Sequence, residues 1–191
     1  MHRDRRHIRQ LILQAARIRA TDVLTPKHGE CNHEIFAPFS PSPIALIDAV
    51  WNKIELSHTL LRSDDLLVDL GCGDGRWLIS GVQRFHCSAF GVEIDENLVK
   101  KAKEQIQQKD LSHKIHVELG DIMQVDISQA KLVIIYAFAE SLKGIAERLR
   151  QQLKTDANVL SIGFRILQWK PYWSERNNGL RWYLYRIRDC Q

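Results

Sequence analysis

Nowhere in this 191-residue chain does an apolar run approach the ~20 residues that a membrane-spanning helix needs. No membrane span is therefore expected. Cysteine is scarce too. Cys31, Cys72, Cys87 and Cys190 lie far apart, form no Cys-x-x-Cys pair and follow no hydrophobic secretory signal. That argues against a disulfide framework and for an intracellular, reducing compartment. Metal-ligand sets are missing as well. His28, Cys31 and His33 have a loosely metal-like spacing, but zinc takes four ligands, or three plus an open position, and no second ligand pair stands nearby. No metal is expected. No Ser/His/Asp order and no defensible pair of catalytic carboxylates occurs, so the sequence offers no nucleophile of its own.

Acids are nearly absent from one segment. Residues 1–20 hold Arg3, Arg5, Arg6, Arg9, Arg17 and Arg19 against Asp4, which is about +5 in the usual ionisation states. The whole chain carries +4, so everything after Ala20 is close to neutral. Ile8, Leu11, Ile12, Ala15 and Ile18 recur there at helical spacing. Three readings stay open for that helix: a packing or capping helix, a mitochondrial transit peptide, or an anion-binding arm for RNA or lipid. Compartment follows the same choice, cytoplasmic or mitochondrial.

Hydrophobic residues make up 45% of the chain and charged residues 26%, the balance of a globular protein with room for one sizeable core. We read residues 1–37 as a basic helix-and-loop extension and residues 38–191 as the working domain. Thr25 to Pro43 is turn-rich and contains Pro26, Pro38, Pro41 and Pro43. From Ser42 to Leu56 apolar positions fit a helix, with Ser42-Pro43 as its cap and first turn. Strand and helix then alternate. Strands are expected at Leu66–Leu70, Ala89–Glu93, Ile115–Leu119, Leu132–Tyr136 and Val159–Phe164, and helices at Arg76–Arg84, Glu96–Lys109 and Glu140–Leu153. Asn177-Asn178-Gly179 marks a hairpin turn before a strand at Leu180–Ile187. This pattern predicts an α/β fold, a Rossmann-like, seven-stranded, mostly parallel sheet with helices on both faces and an antiparallel C-terminal hairpin.

The strongest local signal is Val68-Asp69-Leu70-Gly71-Cys72-Gly73-Asp74-Gly75-Arg76, which ends the first strand. Glycines there let the chain turn sharply and let a ligand approach the backbone. A dinucleotide turn of the form Gly-x-Gly-x-x-Gly would need glycine at position 76, where Arg76 stands. Asp69 and Asp74 would repel a pyrophosphate and suit the amino group and sulfonium of S-adenosylmethionine. Two further acids end the next strands. Glu93, followed by Ile94, is placed to accept ribose hydroxyls. Asp121 is placed to accept the adenine amino group while Ile122 packs on the ring. The expected cofactor site is thus Asp69, Gly71, Cys72, Gly73, Asp74, Gly75, Glu93, Ile94, Asp121 and Ile122.

With these motifs the chain from Pro38 onward resembles the class I methyltransferases. More narrowly, it is similar to the small protein-lysine methyltransferases of archaea and their mitochondrial relatives. Pro38-Phe39-Ser40-Pro41-Ser42-Pro43 resembles that group's Pro-Tyr-Val-Pro-Thr-Pro lead-in. Asp69 to Arg76 fits its glycine motif. Phe164-Arg165-Ile166-Leu167-Gln168-Trp169-Lys170-Pro171 is similar to its Phe-x-x-x-x-Trp-x-Pro. The resemblance implies methyl transfer to lysine side chains of a protein substrate. Phe39 departs from the tyrosine usual there and lacks its hydroxyl. The mitochondrial relatives' hydrophobic anchoring segment has no counterpart in this sequence.

An acceptor site is expected after the fourth strand, at Tyr136-Ala137-Phe138-Ala139-Glu140. Tyr136 and Phe138 would wall a channel, Glu140 would hold the incoming ammonium, and Trp169 would add another aromatic wall. Enzymes that methylate adenine or glutamine amides carry an Asp/Asn-Pro-Pro-Tyr/Phe turn here, and this chain has no proline at that point. An RNA methyltransferase using the Arg-rich helix as a grip is the runner-up. A non-catalytic scaffold with the same fold is the third reading, against which Asp69, Gly71, Gly73, Glu93 and Asp121 are all intact. A small-molecule acceptor is the fourth.

Overall fold

A computed structural model describes residues 40–56 and 60–190. The expected helix over residues 1–20, most of the proline-rich stretch, Phe39, and the trio His28, Cys31 and His33 lie outside the described residues.

The described elements are helix α1 (Ile44–Glu55), strand β1 (Leu66–Leu70), α2 (Arg76–Phe85), β2 (Ser88–Glu93), α3 (Glu96–Gln108), β3 (Ile115–Leu119), β4 (Ala130–Ile135), α4 (Ala139–Gln152), β5 (Asn158–Ile162), β6 (Trp173–Asn177) and β7 (Leu180–Arg186), closed by a 3-10 turn at Ile187–Asp189. The strands form one seven-stranded sheet in the order β3-β2-β1-β4-β5-β7-β6. β1 to β5 pair in parallel, whereas β7 runs antiparallel between β5 and β6. The order reverses between β1 and β4, and at that switch point open α/β sheets form their ligand crevice.

Both faces of the sheet are buried over the central strands β1, β4 and β5, which is why those strands read as near-continuous apolar runs, whereas β3 alternates and the edge strand β6 is exposed. Leu67, Leu132, Ile134, Leu160, Ile162, Trp182 and Leu184 belong to a core shared with α1, α2 and α3. Their alternates Val68, Val133, Ile135, Val159 and Tyr185 are buried on the opposite face, and α4 buries Leu142, Ile145, Ala146 and Leu149 at helical spacing. In the first core, Trp51 of α1 meets Trp77 and Phe85 of α2 edge-on, with centroids 5.2 and 5.5 Å apart.

Local chemistry explains several boundaries. Asp95 caps α3 by accepting from the backbone N–H groups of Asn97 (2.8 Å) and Leu98 (3.3 Å). Asn178 (φ 48°) and Gly179 (φ 81°) both take positive φ, the condition for a tight two-residue turn between β6 and β7. Other details differ from expectation. β4 begins at Ala130 and stops at Ile135, so Tyr136 lies beyond it. β5 ends at Ile162 because Gly163 (φ 81°) turns the chain before Phe164. Pro43, not Ser42, occupies the cap position of α1, and the Ser42 hydroxyl accepts from Trp77 Nε1 at 3.0 Å instead.

Candidate active site

The glycine turn lies where β1 meets α2. Gly71, Gly73 and Gly75 all have positive φ (82°, 55° and 78°), a conformation L side chains rarely adopt. A Cβ built on Gly71 would meet nothing within 4 Å, so the chain leaves a cradle open beside the strand end. Gly71 and Cys72 both donate to the Val92 carbonyl, tying the turn to β2. Cys72 is buried, and its Sγ fills the space that Gly91 leaves by having no side chain. Gly75 precedes α2 without any side-chain cap, so that helix turns uncapped N–H groups toward the crevice.

Parallel register brings the strand-end acids together. Asp69 pairs with Gly91, Leu70 with Val92, and Glu93 with Leu119. Asp69 is 4% exposed, and burial, then Glu93, then Asp74, push its carboxyl up to about 8. At neutral pH it holds a proton that a nearby cation would displace. Glu93 is oriented by backbone donors: Oε2 accepts from Gly73 (2.8 Å), and Oε1 from Ile94 (2.8 Å) and Asp95 (3.1 Å). Asp121 Oδ1 accepts from the Met123 N–H at 2.8 Å, and Ile122 beside it is buried.

Asp74 departs from its expected part. Arg76 donates to both of its oxygens (2.8 and 2.7 Å), and Lys101 approaches at 3.3 Å. Although burial works against ionisation, these partners hold the Asp74 carboxyl below its ordinary range. Its charge is balanced inside the chain by Arg76 and Lys101, whereas no such cation partners Asp69 among the causes of its shift. Arg76 then reaches the Ser42 carbonyl at 2.9 Å, next to the Trp77–Ser42 bond. The end of the proline-rich lead-in is thus clasped to the first turn of α2.

On the side where the acceptor is expected, Leu70 pairs with Ile135, so Gly71 and Tyr136 leave adjacent strands at one level. Tyr136 and Phe138 are half-buried. Two residues that the sequence reading did not assign to the site join them. A Cβ on Gly163 would come within 2.9 Å of Tyr136 Cε2, so the ring lies against the bare backbone there. Phe164 meets Phe138 edge-on at 5.8 Å, and its carbonyl accepts from the Ser161 hydroxyl at 2.7 Å. Glu140 lies in the first turn of α4, and its side chain is outside the described residues.

Trp169 corrects another expectation. It is 4% exposed and packs edge-on against Tyr185 of β7, with centroids 5.6 Å apart. Tyr185 pairs with Val159, near the amino end of β5, so Trp169 is core and not channel wall. Arg148 was not anticipated either. It lies in the buried stripe of α4 and donates from Nη1 to the Ile122 carbonyl (2.6 Å) and from Nη2 to the Val125 carbonyl. Read along the sequence, an arginine between Glu147 and Leu149 looks like part of a solvated face.

An open glycine cradle, a buried protonated acid and an oriented glutamate at consecutive strand ends fit a cationic nucleoside cofactor. Fold and site together define a class I, S-adenosylmethionine-dependent methyltransferase. The ANTKMT methyltransferase domain model matches residues 69–173, and the chain belongs to that family. Among its relatives is a protein-lysine N-methyltransferase of Saccharolobus islandicus, 29% identical over 70% of this chain and 81% of that one. The adenine nucleotide translocase lysine N-methyltransferase of Mus musculus is 26% identical over 67% of this chain and 56% of its own length. A solved structure of an RNA methyltransferase from Salinibacter ruber with S-adenosyl-L-homocysteine superposes with a TM-score of 0.71 at 29% identity, covering 78% of this chain and 94% of that one. Among the described residues no helix is long and apolar enough to cross a membrane.

Proposed function

We propose that this methyltransferase modifies lysine side chains of a protein substrate, with residues 38–191 as the catalytic domain and residues 1–37 as a basic extension. The observation that carries this reading is the aromatic corner of Tyr136, Phe138 and Phe164 at the carboxyl ends of β4 and β5. It stands where amide and adenine methylases place a proline-bearing turn. Relatives named for lysine methylation support the same reading.

When bound, S-adenosylmethionine supplies an electrophilic methyl group on a sulfonium. Asp69 would meet its amino group, Glu93 its ribose and Asp121 its adenine, with Gly71 and Gly73 allowing close approach and Ile94 and Ile122 lining the base. Gly75 instead makes room for Ala102 of α3, which a Cβ there would meet at 3.2 Å. A lysine acceptor has a free pKa of about 10.4 and must lose a proton before its nitrogen can attack. Tyr136, Phe138 and Phe164 would exclude water around the ammonium, which lowers that pKa and favours the neutral amine. They would also align the amine with the methyl carbon, and alignment of this kind removes several kcal/mol of barrier. Glu140 would attract the incoming ammonium.

The match to an RNA methyltransferase structure favours a second reading, in which residues 1–20 grip phosphates. Tritiated S-adenosylmethionine added with the protein to a lysate lacking it separates the two. Label that survives RNase, is lost to protease and maps to lysine supports the proposal. Label that follows RNA overturns it. An Asp69→Ala variant should give no label in either case. Compartment, mitochondrial or cytoplasmic, would be read from fractionation of the tagged full chain.

A further inference from the structure

Arg148 is 8% exposed, flanked in the α4 stripe by Ile145, Ala146 and Leu149, which are buried. Burying a guanidinium costs several kcal/mol unless its donors are matched, and a leucine would fill such a helix position without that cost. Both terminal nitrogens of the fork donate to backbone, at the Ile122 and Val125 carbonyls, and the Nε–H is buried with no acceptor among the described residues. The fork is therefore aimed at one element, the turn that follows β3.

That turn begins with Asp121. Within it Asp121 Oδ1 accepts from the Met123 N–H and Oδ2 from Gln124 Nε2 at 3.5 Å, the Asp121 carbonyl accepts from the Gln124 N–H, and Asp126 Oδ1 from the Ser128 N–H, all of them local contacts. The tie across 26 residues to Arg148 fixes the turn against the body of the fold. A planar fork holds two carbonyls in fixed relative positions, whereas a lysine ammonium reaches as a single point. We propose that Arg148 is a positioning residue for adenine recognition: by gripping the Ile122 and Val125 carbonyls it sets the direction of the Asp121 carboxylate. The proposal rests on Asp121 receiving the adenine amino group, as argued above.

The test is a specificity ratio, which a loss of stability alone does not move. Calorimetry would compare S-adenosylhomocysteine with S-inosylhomocysteine, whose ring carries a carbonyl in place of the amino group. One hydrogen bond to a charged acceptor predicts a preference of roughly ten- to a hundredfold for the adenosyl ligand in the wild type. Arg148→Met should cut that ratio at least several-fold, and Arg148→Lys should give an intermediate value with circular dichroism unchanged. Should Arg148→Met fail to fold, Arg148→Lys carries the test. Asp121→Ala keeps the two claims apart. If it leaves the ratio unchanged, the Asp121 assignment fails. If it abolishes the ratio while the arginine variants lower only the melting temperature, Arg148 is a structural tie and the proposal is overturned.

Discussion

The Asp69 carboxyl titrates near 8 in the free protein, so binding a cation beside it should expel a proton. At pH 7 such a group is about nine-tenths protonated, and at pH 6 almost fully. A ligand ammonium beside it stabilises the ionised form and pulls the pKa below neutrality. Between the two pKa values, each unit of falling pH should then weaken cofactor binding about tenfold, or about 1.4 kcal/mol. The measurement is calorimetry with S-adenosylhomocysteine from pH 5.5 to 7, where the ligand amino group stays charged and adds no titration of its own. Repeating each titration in cacodylate and in Bis-Tris, which both buffer in this range and differ in ionisation enthalpy, separates proton release from the intrinsic heat. Close to one proton should leave per ligand at pH 6.5, and Asp69→Asn should remove both the release and the slope. Affinity that stays flat across this range, with no buffer-dependent heat, would refute the protonated-acid reading.

The same shift has a stability consequence. The native state keeps its Asp69 proton to about 8 while the unfolded chain loses it near 3.8, so Asp69 destabilises the free protein increasingly as pH rises through that window. Asp69→Asn should therefore raise the denaturation midpoint more at pH 8 than at pH 5, the gain growing by at most about 1.4 kcal/mol per pH unit in urea titrations. Gly163→Ala should push the Tyr136 ring off its seat and lower kcat by tenfold or more while leaving S-adenosylhomocysteine affinity within a factor of two; unchanged kcat would remove Tyr136 from the acceptor site. Gly81 lies inside α2, where alanine ordinarily adds about 1 kcal/mol. Here a Cβ would sit 2.6 Å from Leu67 Cδ2 and 3.2 Å from the Trp51 ring, so Gly81→Ala should destabilise by about 1–3 kcal/mol in thermal or urea unfolding.

Strand–helix alternation, the glycine turn and the acids at three strand ends were readable along the chain because each depends on neighbours a few residues away. Periodicity reports burial of a face, and a glycine reports a backbone that no Cβ tolerates. β1 and β3 fell on their expected bounds for that reason. Where β4 and β5 end was not readable, since that depends on Gly163 turning under the ring of Tyr136, a contact across 27 residues.

The roles of individual polar and aromatic groups needed the folded chain. Asp69 and Asp74 look alike in sequence. Burial, and after it the nearby Glu93, leaves Asp69 protonated, while Arg76 and Lys101 keep Asp74 ionised. Trp169 and Phe164 both follow β5, yet one packs into the core on Tyr185 and the other meets Phe138 at the sheet's carboxyl edge. Arg148 reads as a surface residue until α4 is laid on the sheet and its fork meets two carbonyls. Fold, cofactor class and the placing of acids at successive strand ends were legible in the residues alone, because short-range pattern carries them. Protonation, orientation and the choice of rings that gather at the sheet's carboxyl edge came from folding, because charge and packing act between atoms that lie far apart along the chain and only a few ångströms apart in space.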